Sequence, residues 1–139
     1  MRFLVDTNVL SELRKGERAH KHVRSWFGRV DDADLFVSVL VLGEIRRGIE
    51  ALRLRDPRSA EALDRWHREL VTDHADRILD VDREIADLWG RLNVPDVLPA
   101  IDGLLAATAH VHDLTVATRN TADFARAGVA CLNPFARRR

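Results

Sequence analysis

Four acidic residues stand where a carboxylate is costly unless something uses it. Asp6 follows the apolar run Phe3 to Val5, at the end of a segment that reads as a buried strand. Glu44 lies in SVLVLGEI, a stretch with no other charge, one helical turn after Leu40. Asp102 comes three residues after Pro99 in PAIDGLLAATA, where proline favours the first turn of a helix. Asp123 closes the polar run Thr118, Arg119, Asn120, Thr121, which begins where a second apolar segment, Leu114 to Ala117, stops. A desolvated carboxylate must be paired, hydrogen-bonded or bound to a cation. Three or four gathered in one place cannot all stay ionised without one. Oxygen-rich sites suit hard divalent ions, Mg²⁺ or Mn²⁺. Such an ion clamps phosphate and activates water.

Each acid also has a plainer explanation. Thr7 or Asn8 can cap a helix beginning behind Asp6. Glu44 can form a buried salt bridge to an arginine such as Arg47. Asp102 and Asp123 can complement the positive ends of their helices, and Asn120 or Thr121 can cap the second of these. The plain explanations leave one thing over: the strand ends at Asp6 and at Thr118 both empty into hydroxyl, amide and carboxylate. If the two strands are neighbours, these groups meet at one edge.

The elements that must position them follow from periodicity. Arg2 to Val5, Leu35 to Val39, Ile78 and Leu79, Leu114 to Ala117, and Val129 to Leu132 read as short buried strands. Between them the apolar residues recur at helical spacing. A first helix runs to about Arg14. A second carries Val23, Trp26, Phe27 and Val30. A third, from about Val39 to Leu54, carries Val41, Ile45, Ile49 and Leu52. A fourth covers roughly Ser59 to Thr72, with Leu63, Trp66 and Leu70 inward. A fifth, capped by Asp82, carries Ile85, Leu88, Trp89 and Leu92. A sixth runs from near Pro99 to His112, and a short one from Thr121 to Ala127. Asn93 to Pro99 reads as a loop. Strands alternating with helices imply a parallel sheet covered on both faces, with sites at the carboxyl ends of the strands.

At 139 residues and 46% hydrophobic, the chain is expected to be a single domain, residues 1–139, with one core. No stretch is long and apolar enough to span a bilayer, and the beginning lacks a signal-peptide pattern. Cys131 is the only cysteine, so an internal disulfide is excluded and a cytoplasmic location is expected. Formal net charge is zero, which gives no global attraction to nucleic acid. The basic residues are mostly arginine, with a basic end at 137–139.

Four stretches together resemble the PIN-domain nucleases, and within them the VapC-type toxins of bacterial toxin–antitoxin pairs. They are LVDTNVLSEL (Leu4 to Leu13), SVLVLGEIRRGI (Ser38 to Ile49), IDGLLAATA (Ile101 to Ala109) and TVATRNTADF (Thr115 to Phe124). The AATA and VATRN wording and the final LNPF are similar to the FitB-like subgroup. The resemblance implies a three-layer α/β/α sandwich with a five-stranded parallel sheet and a Mg²⁺-dependent endoribonuclease site, Mn²⁺ being the other candidate. It also implies a cognate, VapB-like antitoxin, an RNA substrate and a homodimer, with no membrane. Carried over by position, Asp6, Glu44 and Asp102 match the main acids, and Asp6 and Asp102 the metal ligands. Thr7 or Asn8, and Thr118, match the polar support. One position departs: many relatives have aspartate where this chain has Asn120. The fourth acid is then either Asp123, three residues on, or absent, with Asn120 supplying a neutral ligand.

No P-loop, G-x-G-x-x-G or G-x-S-x-G motif is present. The pairs His20/His22 and His110/His112 are expected not to bind metal, because helical positions two apart face differently. His67 and His74 are expected at the surface. Trp26, Trp66 and Trp89 are expected in the core or in dimer contacts, Trp89 together with Leu88 and Leu92 being the pairing candidate. Val41, Ile45 and Trp66 are candidate antitoxin contacts, and an antitoxin arginine is a sensible inhibitor of an acidic pocket. Two further readings compete with the toxin: a non-catalytic PIN-like module that binds RNA or protein, and a flap-type DNA nuclease.

Overall fold

The computed structural model describes residues 1–137, so the last two arginines of the basic end lie outside the described residues. Five strands, Phe3–Val5 (β1), Leu35–Ser38 (β2), Ile78–Leu79 (β3), Thr115–Ala117 (β4) and Cys131–Leu132 (β5), form one parallel sheet in the order β3-β2-β1-β4-β5. Phe3, Leu4 and Val5 are all buried. Successive strand residues point to opposite faces, so the centre of the sheet is covered on both sides. Seven helices among the described residues provide that cover: Thr7–Leu13 (α1), Lys21–Arg29 (α2), Val39–Arg53 (α3), Pro57–Asp73 (α4), Arg83–Leu92 (α5), Ala100–His112 (α6) and Thr121–Arg126 (α7).

The chain leaves β1 toward β2 and β3, then returns to the other side of β1 for β4 and β5. This reversal lies between β1 and β4, which pair Leu4 with Val116 and Val5 with Ala117. Crevices in open parallel sheets form at the carboxyl ends of strands flanking such a reversal. The next residues of these two strands are Asp6 and Thr118, and the Asp6 N–H still bonds to the Ala117 carbonyl at 3.0 Å.

Local chemistry sets the ends of the elements. The expected second strand stops one residue early, at Ser38, because the Ser38 hydroxyl accepts from the Leu40 N–H and caps α3. The fourth helix begins at Pro57, two residues earlier than expected. Asp56 caps it by accepting from both the N–H and the hydroxyl of Ser59. Asp82 caps α5, as expected. In α6, Ala106 and Ala109 are buried in the core; small side chains let this helix lie close to the sheet. Gly103 allows α5 and α6 to approach, since a Cβ there would stand 3.2 Å from the Trp89 ring of α5.

Several expectations about single residues change. Val41 and Ile45 are buried in the core and cannot receive a partner, whereas Trp66 is half-buried beneath the Arg14 guanidinium. Trp26 is buried against Phe3, with ring centroids 5.3 Å apart. His67 and His74 are half-buried, each with a ring nitrogen 3.1 Å from a carbonyl, of Leu42 and Leu70 respectively. His20 is not on a helix with His22; it precedes α2, and its Nδ1 accepts from the His22 N–H. The two rings therefore approach to 5.2 Å, contrary to the helical argument.

Phe124 is fully buried, on α7 beside Asp123. Phe124→Ala is expected to cost about 3–5 kcal/mol, read as a lower urea midpoint with little change in slope. An unchanged midpoint would show that α7 is not anchored through this ring.

Candidate active site

Asp6 occupies the N-cap of α1 in extended backbone, at φ −74° and ψ 158°. It takes the capping role expected of Thr7 or Asn8. Its Oδ1 accepts from the Thr7 N–H at 2.8 Å. Its Oδ2 accepts from the Thr118 hydroxyl at 2.7 Å and from the Asn8 amide at 3.3 Å. Asp6 is 6% exposed and Thr118 fully buried. Every one of these donors is neutral. The carboxylate is fixed in place, and among the described residues no basic side chain pairs with it.

The supporting residues are tied to each other as well. The Thr7 hydroxyl donates to Glu44 Oε1 at 2.8 Å and so joins α1 to α3. Glu44 therefore makes no salt bridge to Arg47; its partner is a hydroxyl, and among the described residues it has no ion pair. The Asn8 carbonyl oxygen accepts from the Arg119 N–H at 3.1 Å, tying the start of α1 to the end of β4. Thr118 Oγ1 also accepts from the Asn120 N–H at 3.0 Å.

Asn120, a candidate cap or ligand by sequence, holds the cap position of α7, but its side chain makes no capping bond. Its Nδ2 instead donates to Asp102 Oδ2 and to Asp123 Oδ2, both at 2.8 Å. The amide thus stands between two carboxylates from different helices, and Asn120 and Asp123 belong to one constellation.

The electrostatics follow. The Asp102 carboxyl is pushed up to about 6. Burial is the largest cause, followed by the hydrogen bond and charge of Asp123 and the charge of Asp6, while the Asn120 amide opposes the rise. Asp123 moves the other way, below the usual carboxylate range, chiefly because the Asn120 amide donates to it. A pair of acids pushed apart in this way shares a deficit of positive charge. The donors are all oxygen and suit a hard divalent cation. Among the described residues, however, no three acidic, histidine or cysteine side chains stand close enough to hold a metal between them. The oxygen donors of Asp6, Asp102 and Asp123 and the excess negative charge around Asp102 suit such an ion.

The structure thus brings Asp6, Thr7, Asn8, Asp102, Thr118, Asn120 and Asp123 into one hydrogen-bonded group, with Glu44 joined to it through Thr7. Residues 3–130 match the family model for the PIN domain. The chain belongs to the PIN-domain family. It is 33% identical over 137 residues to Toxin FitB of Neisseria gonorrhoeae, covering 95% of this chain and 97% of the relative. It is 34% identical over 137 residues to VapC ribonuclease Y4jK of Sinorhizobium fredii, covering 95% and 96%. The solved structure of FitAB bound to an IR36 DNA fragment holds a chain that superposes with a TM-score of 0.88 at 29% identity, over 99% of this chain and 98% of that one. The three-layer PIN arrangement implied by the sequence is therefore present. Among the described residues no helix is long and apolar enough to cross a membrane.

The Asp102 shift gives a signed expectation for the metal-free protein. A carboxyl whose folded value lies near 6 and whose ordinary value is 3.8 is easier to charge in the unfolded chain. The resulting penalty is absent below about pH 4, grows as pH rises to about 6, and is constant above. Asp102→Asn should therefore melt at the same temperature as the parent near pH 4 and at a higher one at pH 7.5, in EDTA. A difference independent of pH would refute the assignment.

Proposed function

We propose that this chain is the toxin of a toxin–antitoxin pair, an endoribonuclease that hydrolyses RNA phosphodiester bonds with Mg²⁺ or Mn²⁺ and is silenced by a cognate antitoxin. The observation that carries the reading is an acidic group with too little positive charge: Asp6 is held by neutral donors, Asp102 is pushed up to about 6 beside it, and the group's one ion pair among the described residues is Arg126 with Asp123 at 3.6 Å. A module that merely binds RNA has no use for carboxylates facing phosphates. The relatives' names, toxin and ribonuclease, support the same reading.

Asp6 and Asp102 are the residues that would hold the ion, with Asp123 completing the set. When bound, a divalent cation supplies Lewis acidity to the phosphodiester and lowers the pKa of water. The chain's own groups supply the rest. Thr118, Asn8 and the Thr7 N–H fix the Asp6 carboxylate, so its lone pairs need no reorganisation when substrate arrives. Glu44 is oriented through Oε1 by the Thr7 hydroxyl; its other oxygen is the group available to take a proton from the attacking water. Asn120 spaces Asp102 from Asp123 and keeps the charge on Asp123.

Asp6→Asn and Asp102→Asn should each reduce divalent-dependent cleavage of RNA to background while circular dichroism stays unchanged. Cleavage retained in both, with the parent's metal dependence, would sink the site. Asp123→Asn should raise the Mg²⁺ needed for half-maximal rate by about tenfold; a titration identical to the parent's would remove Asp123 from the set.

The antitoxin would present a cationic side chain, an arginine above all, because a guanidinium replaces the cation's charge and pairs with carboxylate in two places. Expression of the chain alone should arrest bacterial growth, and co-expression with the reading frame immediately upstream should relieve the arrest. Arrest unaltered by that frame would count against a neighbouring antitoxin.

A further inference from the structure

Arg119 lies between Thr118 and Asn120, and its backbone N–H is fixed by Asn8, yet its side chain takes no part in the acidic group. It leaves the site and lies over the Phe135 ring, with the guanidinium carbon 3.8 Å from the ring centroid, a stacking distance. The other described guanidinium–ring approaches are looser, at 5.6 Å for Arg2 on Phe36 and 5.9 Å for Arg14 on Trp66. Phe135 is held by its own turn: its N–H donates to the Asn133 side chain at 2.9 Å, and Pro134 beside it is buried. The His20 ring also meets Phe135 edge-on, centroids 5.6 Å apart, and His22 continues the row at 5.2 Å.

A stacked guanidinium uses its face and leaves its in-plane N–H groups free. Among the described residues those N–H groups make no hydrogen bond, and no carboxylate lies within salt-bridge distance of them. The Arg119 charge does reach Glu12, but the oxygens of that acid are occupied by Lys15 and by the His20 N–H. The exposed His20 ring is similarly oriented. Its Nδ1 accepts from the His22 N–H, so the neutral ring carries its hydrogen on Nε2, away from that bond. The surroundings are positive: His22 is held below the usual imidazole range by burial first, then by the charges of His20, Lys21 and Arg137. In a chain of zero net charge, this is a local cationic and aromatic strip that begins at the rim of the acidic group.

We propose that this strip is the strand-holding rim of the nuclease: Arg119, braced by Phe135, grips a phosphate next to the one being cut, and the His20 ring takes the adjoining base. The proposal rests on the ribonuclease reading above. Acidic centres repel the RNA they cut, so a cation one residue away offsets that repulsion without neutralising the centre itself. Cationic grooves with aromatic rings are how single strands are held irrespective of sequence. Arg119, Phe135 and His20 are on this account positioning residues, not catalytic ones.

The test uses the full chain and a fluorescein-labelled 12-nucleotide single-stranded RNA of mixed sequence. In the cleavage-dead Asp6→Asn background with Mg²⁺, adding Arg119→Ala should weaken binding about tenfold and reduce the slope of log Kd against log salt by about 0.7. Arg119→Lys should fall between the two, because it keeps charge and loses the planar stack. Phe135→Leu should weaken binding while leaving the salt slope unchanged. With Asp6 restored, Arg119→Ala should raise KM several-fold and alter kcat little. Binding, salt slope and KM all equal to the parent's, in a protein that still cleaves RNA, would overturn the rim and leave the nuclease reading standing. A parent without divalent-dependent cleavage would overturn both.

Discussion

The rest of the site depends on one arrangement: a buried carboxylate, Asp6, satisfied only by uncharged donors. Two backbone or amide N–H groups and one hydroxyl hold it at distances between 2.7 and 3.3 Å. Pairing with arginine would have stabilised the charge and also cancelled it. With neutral donors the geometry is fixed and the negative potential remains. That potential reaches Asp102, where it combines with burial and with Asp123 to make a carboxyl that keeps its proton to about pH 6.

Topology gathers these groups. β1 and β4 lie side by side because the chain reverses its winding between them. A strand end delivers Asp6, the neighbouring strand end delivers Thr118, and the turn after it carries Asn120. Helices α3 and α6 bring Glu44 and Asp102 from outside the sheet. Small residues, Ala106 and Ala109, let α6 pack into the core, and Gly103 lets it lie against the Trp89 ring of α5. Several arginines are used elsewhere: Arg46 and Arg53 of α3 reach Asp64 of α4 at 3.0 and 3.2 Å and fasten the two helices, and Arg68 joins Asp64 from within α4 at 3.4 Å. These basic groups stabilise the scaffold behind Glu44, and among the described residues the one arginine paired with the acidic group is Arg126, 3.6 Å from Asp123 Oδ1.

Much of this is legible in the sequence because the elements are short and strongly patterned. Apolar runs of three or four residues followed at once by Asp6 or Thr118 are strand ends, and their similarity points to one shared edge. The less legible features are contacts between side chains distant in sequence. Asn120 can be weighed as a cap or as a ligand, but nothing local reveals an amide shared by Asp102 and Asp123. Thr7 and Asn8 suggest themselves as caps of α1 because such residues are common there; the carboxylate before them caps the helix while serving the site. Val41 and Ile45 look available because helical spacing identifies an apolar face without saying what covers it. The His20–His22 approach is hidden because the pair reads as helical, whereas His20 precedes the helix and turns its ring toward Phe135.

The charge deficit also shapes how such a protein can be tolerated. A site that repels its own carboxylates loses stability unless a cation, a proton or a partner's basic group fills it. The fold offsets the loss with a core that includes the fully buried Leu4, Val5, Ile49, Val116 and Phe124 directly around β1 and β4. Anything cationic that fits the centre therefore binds with a contribution from relieved repulsion, in addition to its own contacts. A metal ion and an inhibitor's basic group that entered this centre would draw on the same contribution and so would compete, and a centre suited to an activating ion is by the same physics easy to block.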